Sequence, residues 1–347
     1  MKSLLKYLSP FAPDQSGAVS ALFEFGGLIV ICDAGGCTGN ICGFDEPRWF
    51  TRKSALFSAG LRDMDAILGR DEKLVEKLQK AAAGSPLNFA VLIGTPVPAI
   101  IATDFRAIRR MAERRTGLPV LTLETTGTRL YDRGEESAWL ALFRQFAQEK
   151  LTPIPGTVGV LGASPLECSR DNGTPLIREL ENQGWHLVFC HGFGSGLDEV
   201  RKASAVEKNL VISPAGVRTA EYLQQTFGTP WEVWSPSLNP ALQEKLRMLS
   251  ARKILVVHQQ FTANAVRREI RKNSSAEVIA ASWFMMLPRW KEVNDVQLTD
   301  EAQFAGLVQQ GGFDAVIGDL KLKRVLRNFS GEFIDLPHFA VSGRLEE

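Results

Sequence analysis

Short apolar, β-branched runs recur along the whole chain, at 27–32, 89–94, 120–123, 158–161, 186–190, 210–213, 254–258, 277–281 and 315–318. Between most of them lie segments such as 105–115, 174–183, 220–226 and 264–272, where apolar residues fall at three-to-four spacing and charges occupy the other face. This alternation predicts parallel strands joined by amphipathic crossover helices. Breaks in the rhythm divide the chain into three α/β units, 1–152, 153–250 and 251–347, with Pro153-Ile-Pro155-Gly156 as the first linker. The expected fold class is therefore α/β, three Rossmann-like units with parallel sheets and crossover helices around a central cleft. In open sheets of this kind ligands sit beyond the carboxyl ends of the strands. The loops 163–168 and 190–196 and the residues after His258 are expected to face the cleft, carrying Cys168, Cys190, His191 and His258 with them.

Composition narrows the function classes. A chain of 347 residues, 45% hydrophobic, with a formal net charge of +1, reads as a globular protein of two or three domains. Its longest apolar stretch, 89–102, is broken by Pro96 and Pro98 and is too short to cross a bilayer, so no membrane span is expected. Basic residues are scattered among acids, which argues against nucleic acid as a partner. The opening MKSLLKYLSPFAPD lacks the apolar core of a signal peptide, so a cytoplasmic location is expected. No G-x-S-x-G, Walker A or metal-protease histidine spacing occurs, which disfavours hydrolytic and nucleotide-driven chemistry by this chain alone.

The densest chemistry is Cys32-Asp-Ala-Gly-Gly-Cys37-Thr-Gly-Asn-Ile-Cys42, which holds three of the five cysteines directly after an apolar run. Thiolates converging on a glycine-rich loop suit an iron-sulfur cluster, because glycine lets backbone wrap closely around it. The Cys-x4-Cys-x4-Cys spacing matches no standard cluster motif. A disulfide is the main competing reading, and a reducing cytoplasm opposes it. Cys32 ends a buried strand, so it reads equally as a small core hydrophobe. Cys37 and Cys42 lie among Gly, Thr and Asn, where burial explains less.

With its surroundings, this run resembles the nitrogenase component 1-like oxidoreductases: nitrogenase molybdenum-iron protein subunits, cofactor-assembly scaffolds and light-independent protochlorophyllide and chlorin reductases. Cys32-Asp-Ala-Gly-Gly-Cys37 is similar to that family's His-Gly-Pro-x-Gly-Cys turn, which places Cys37 at the position of a ligand to an interface iron-sulfur cluster. Leu123-Glu-Thr-Thr-Gly127 with Tyr131 and Gly134 is similar to a Thr-x-Gly segment. Further similarities are the helix ending at Gly184, the strand Asn209-Leu-Val-Ile-Ser213, Phe313-Asp-Ala-Val-Ile-Gly318 and the closing Leu336-Pro-His-Phe-Ala-Val-Ser-Gly-Arg344. Two other cysteine positions of the family fall on Phe11 and Pro96, which cannot bind iron. No equivalent of the cysteine and histidine that anchor the iron-molybdenum cofactor is found, which makes dinitrogen reduction an unexpected activity.

The resemblance implies a redox subunit that receives electrons from an ATP-dependent iron-sulfur reductase and reduces a substrate in the interdomain cleft. Its cofactor would be an iron-sulfur cluster, 4Fe-4S if two subunits each give Cys37 and Cys42, with Cys32 as a substitute ligand. The partner would be an identical chain or a paralogous subunit. The alternatives are a metallocluster or tetrapyrrole assembly scaffold, and a metal-free binding protein on the same fold. Two further patterns carry less: Gly192-Phe-Gly194-Ser-Gly196 reads as a flexible turn more readily than as a phosphate cradle, since Leu197 stands where a third glycine is needed. Arg129, Tyr131, Asp132 and Arg133 form a polar cluster with no assigned role.

Overall fold

The continuous apolar runs become the central strands of three parallel sheets, seen in a computed structural model that describes residues 5–51, 55–84 and 86–346. The first four residues of the opening stretch lie outside these. The first sheet contains β1 (Gly27–Ile31), β2 (Ala55–Ser58), β3 (Phe89–Ile93) and β4 (Val120–Leu123), ordered β2-β1-β3-β4. The second contains β5 (Ile154–Leu161), β6 (Leu187–Cys190), β7 (Val206–Val211) and β8 (Trp231–Val233), ordered β6-β5-β7-β8. The third contains β9 (Lys253–Val257), β10 (Glu277–Ser282), β11 (Val296–Gln297), β12 (Ala315–Gly318) and β13 (Glu332–Asp335), ordered β11-β10-β9-β12-β13. All strand pairings are parallel. β1 and β3 are buried along their whole length, as strands covered on both faces must be.

All nine expected strands form. The four that the apolar runs do not predict, β2, β8, β11 and β13, are all edge strands with partly exposed residues. An edge strand needs no continuous apolar run, because one side lacks a partner and its faces are only half covered. The predicted helices form as Phe105–Thr116, Thr174–Asn182, Pro214–Phe227 and Gln260–Arg271, the last two beginning earlier than expected. Pro155 and Gly156, expected in a linker, belong to the start of β5, where a register shift between Ile154 and Val158 accommodates them.

Strand order reverses in each sheet between one pair of neighbours: β1 and β3, β5 and β7, β9 and β12. A crevice opens at such a switch point because successive crossovers depart in opposite directions. The loop with Cys37 and Cys42 leaves β1, the loop with Glu167 and Cys168 leaves β5, and His258 follows β9. Asp319 directly follows β12.

Two helices hold the arrangement together. Asp14–Leu22 is buried at every position, and it packs on Tyr131–Phe146 at a separation only glycine permits. A Cβ at Gly17 would lie 1.9 Å from the Tyr131 carbonyl oxygen, and one at Gly134 would lie 1.7 Å from the Asp14 carbonyl oxygen. Asp14 then uses its carboxylate to accept from the amides of Thr126 (3.0 Å) and Gly127 (2.7 Å). Gly134→Ala is expected to destabilise the fold by about 3 kcal/mol or more in denaturant unfolding, since backbone must separate. Gly306→Ala, in the helix Glu301–Gly311 with open space around it, is expected to be neutral or stabilising by up to about 1 kcal/mol.

Candidate functional site

The cysteine loop is built by Asp33. Its buried carboxylate accepts from the Thr38 amide (2.7 Å), the Thr38 hydroxyl (3.0 Å) and the Ser58 hydroxyl (2.6 Å), which ties the loop to β2. Gly35, at φ +118°, supplies a turn that other residues reach only with strain, and the short helix Gly36–Asn40 follows. It continues into a π-helical turn, Ile41–Asp45, closed by the Glu46 amide on the Ile41 carbonyl (2.9 Å). The far end is pinned by Arg48, which is wholly buried. Its guanidinium holds Glu46 (2.7 Å), the Gly192 carbonyl (2.8 Å) and the Ser20 carbonyl (2.8 Å).

Cys37 and Cys42 are half-buried on this loop and pack against the same hydrophobic cluster. Around them the surface is open, with no atom within 4 Å of a Cβ placed on Gly35, Gly36, Gly39 or Gly43. Large apolar side chains are exposed on this loop and beyond it: Phe44 of the loop is 73% exposed, Phe50 in the turn after it 76%, and Ile100, in the helix Pro96–Ile100 after β3, 82%. Cys32 differs. It is buried in the cluster on the other side of β1, with Leu74 and Ile108, and burial pushes its thiol up to about 12. The structure therefore separates Cys32 from the pair. Partial burial, then the Asp33 carboxylate, raises the Cys37 thiol above its ordinary value. Cys42 is raised by partial burial, then by Glu46 and Asp33. All five cysteines are free, and among the described residues no three metal-ligating side chains converge.

Phe11 and Pro96 are structural here. Phe11 packs edge-on to Trp283 at 5.3 Å and lines a cleft of about 930 Å³ that Asn40, Gly43, Phe44 and Asp45 of the cysteine loop also line. Pro96 opens the helix Pro96–Ile100 and packs on Gly127.

A second cavity, of about 100 Å³, is lined by Glu167, Cys168, His258 and Gln259. Of the four cleft-facing residues expected from sequence, only Cys168 and His258 meet there. Cys190 ends the edge strand β6 and lies in the core, with its thiol pushed to about 12 by burial. His191 is enclosed beside Phe143 and Phe189, and burial lowers its imidazole to about 3. The Gly192–Gly196 turn is no phosphate cradle: the Gly194 amide already donates to Glu24 (2.6 Å).

Residues to which sequence reasoning gave no role form a buried network beside this cavity, Tyr131 and Asp132 from the polar cluster after Gly127 among them. Tyr131 donates its hydroxyl to Glu167 Oε2 (2.7 Å) and lies 2.9 Å from His338 Nε2. His338 stacks on His258 with ring centroids 4.1 Å apart. Glu135 accepts from the Ser164 hydroxyl, which in turn accepts from the Glu167 amide (3.2 Å). Asp132 is buried and accepts from the Met285 amide (2.6 Å). The polar cluster after Gly127 signalled Tyr131 and Asp132, while nothing in the local sequence set Glu135 and Glu167 apart from surface carboxylates. Burial raises all three carboxyls: Asp132 to about 6, Glu167 to about 8 with Asp132 adding to it, and Glu135 well upward with Glu167 adding to it.

These shifts fix a sign. A raised carboxyl binds its proton more tightly in the folded state, so its contribution to stability is present at low pH and lost as pH rises toward the folded value. For Glu167, which faces Tyr131, Asp132 and Glu135, the window runs from about 4.5 to about 8. His191 and His258, lowered by burial to about 3 and about 4, act oppositely, and stability from them is lost on acidification below the ordinary histidine range. Glu167→Gln is expected to flatten the fall in unfolding temperature between about pH 5 and about pH 8 while leaving the acid limb in place.

The comparisons with known proteins follow this geometry. The sequence profile described as nitrogenase component 1 type oxidoreductase matches residues 14–238. The nitrogenase iron-molybdenum cofactor biosynthesis protein NifE of Klebsiella pneumoniae is 26% identical over 274 residues, 71% of this chain. The match spans 59% of that relative's length. Two solved structures share the fold: nitrogenase Cp1 at pH 6.5 (TM-score 0.72, 11% identity, 97% of this chain and 87% of that one) and at pH 5 (0.72, 13%, 100% and 86%). No described helix is long and apolar enough to cross a membrane. With a profile match over well over half its length, and three parallel sheets arranged as in those structures, this chain belongs to the nitrogenase component 1 type oxidoreductase family.

Proposed function

We propose that this chain is an iron-sulfur oxidoreductase subunit that holds a 4Fe-4S cluster across a dimer interface through Cys37 and Cys42. The observation that carries the reading is the pair itself: two half-buried thiols on one ordered loop that also carries the exposed Phe44, at a switch point of the first sheet. A 4Fe-4S cluster takes four thiolates. One chain offers two here, so a second subunit, identical or paralogous, completes the set. Phe44, Phe50 and Ile100 supply apolar surface for that contact. The donor set fits, since both thiols can reach solvent while the carboxylates near them are turned inward to Thr38, Ser58 and Arg48.

When bound, such a cluster supplies one-electron transfer. The chain's own residues do the positioning. Asp33 and Arg48 fix the two ends of the loop, and the adjoining cleft of about 930 Å³ gives a substrate room beside Cys42. By family resemblance, electrons would come from an ATP-dependent iron-sulfur reductase. The relation to a cofactor biosynthesis protein favours a second reading, an assembly scaffold that holds a metallocluster and hands it on.

Iron and acid-labile sulfide on protein purified without oxygen test the site. About two irons per chain are expected, from four shared by a dimer, with most of the iron lost in Cys37→Ser and in Cys42→Ser and retained in Cys32→Ser. Full iron content in Cys37→Ser overturns the assignment. Incubation with an acceptor protein separates the two readings: a scaffold gives up its cluster, whereas an oxidoreductase keeps it through cycles of reduction.

A further inference from the structure

A third cavity, of about 710 Å³, opens where the N-terminal turns of the helices Tyr131–Phe146 and Pro214–Phe227 meet the loop after β10. Its size is that of a small-molecule site. Arg129 and Arg133 come from the start of the first helix, Arg218 from the second, and Trp283, Phe284 and Met285 form an apolar wall. The cavity adjoins the cleft beside the cysteine loop and shares Arg129, Leu130 and Trp283 with it. The polar cluster after Gly127, which has no part in the thiol loop, thus gains a third arginine from a distant segment of the chain.

These three guanidinium groups make no side-chain hydrogen bond among the described residues. Arg133 and Arg218 share one carboxylate, that of Glu136, at 3.8 and 3.6 Å, which is beyond hydrogen-bond reach. Other polar groups of the lining are occupied. Gln297 Nε2 donates to the Ser282 and Phe284 carbonyls (both 2.9 Å), and the Ser137 hydroxyl donates to the Arg133 carbonyl (2.9 Å). Asp132 is turned inward: its Oδ2 accepts from the Met285 amide (2.6 Å) and its Oδ1 is sealed from solvent. Three cations with free N–H groups therefore surround a single accessible carboxylate. In a chain whose formal net charge is only +1, that is a local concentration of positive charge.

We propose that this cavity binds a small phosphomonoester with an apolar body, its phosphate held by Arg129, Arg133 and Arg218 and its body lying against Trp283. The guanidinium fork matches phosphate and carboxylate oxygens alike. A phosphate has three terminal oxygens and nearly two charges at neutral pH, so it can engage forks from several sides, whereas one carboxylate saturates one fork. Trp283 is half-buried and held edge-on to Phe11 (5.3 Å) and Phe304 (5.1 Å), which fixes the apolar wall beside the charged end. The site uses neither thiol, so its test stands whether or not Cys37 and Cys42 hold iron.

Phenyl phosphate is the probe, titrated into the full chain by calorimetry at low salt, with inorganic phosphate lacking the body and benzoate lacking the second charge. Saturable binding of phenyl phosphate is expected, with both analogues at least about tenfold weaker. Arg133→Met and Arg218→Met are each expected to weaken it at least about tenfold. Glu136→Gln, which frees both guanidinium groups, is expected to tighten it about threefold or more. Arg106→Met, on the exposed face of the helix Phe105–Thr116 and outside the cavity, is expected to change nothing. Circular dichroism confirms that each variant is folded. Absence of saturable binding to the wild-type chain, benzoate or inorganic phosphate binding as tightly as phenyl phosphate, unchanged binding in folded Arg218→Met, weaker binding in Glu136→Gln, or an equal loss in Arg106→Met overturns the proposal.

Discussion

The backbone contact between the helices Asp14–Leu22 and Tyr131–Phe146 is the constraint on which the rest depends. Gly17 and Gly134 let carbonyl oxygens occupy space that any side chain would claim. That approach brings Asp14 to the amides after β4 and sets Tyr131 facing Glu167 and His338, on loops of the second and third sheets. The same helix carries Trp139 and Phe143 into the core cluster shared by the first two sheets. Loosening this one contact would disturb the buried network and the packing between sheets together, because both are anchored to the same helix.

Two polar systems of different character result. At the cysteine loop, charge is fixed at the ends and the middle is left open: Asp33 gathers the start, Arg48 clamps the finish, and the thiols lie between them on glycine-rich backbone. Arg48 also reaches the Gly192 carbonyl, so the loop is tied to the second sheet as well as the first. In the inner network the carboxyls of Asp132, Glu135 and Glu167 are buried. Asp132, Glu135 and Glu167 are raised chiefly by burial, with the Glu167 charge adding at Glu135 and the Asp132 charge adding at Glu167. The first system leaves its thiols half-buried at the surface, and the second seals its carboxyls inside.

The sequence was most legible where one residue's neighbours in the chain are also its environment. The central strands declare themselves as unbroken apolar runs because both faces are covered, and the amphipathic helices because one face is. Cys37 and Cys42 were legible because turn-forming glycines and cysteines lie within one loop. The family was legible from the order of several weak segments. The helix Asp14–Leu22 left no periodic signal, since a helix buried on every side has no polar face to contrast with. Edge strands such as β8 and β13 escaped for the converse reason, being too exposed to look apolar.

The chain by itself therefore determined the α/β class, the alternation of central strands with crossover helices and the position of the thiol loop, all products of local patterning and short-range turns. Tertiary structure alone decided which polar residues meet. Tyr131 and His338 lie 207 residues apart, and Tyr131 and Glu167 are 36 apart. No local pattern distinguishes these from surface polar groups, because their burial comes from three sheets closing over them. The same closure sent Cys32 into the core and left Cys37 and Cys42 outside it, since successive positions past a strand end go to whichever side the packing leaves open.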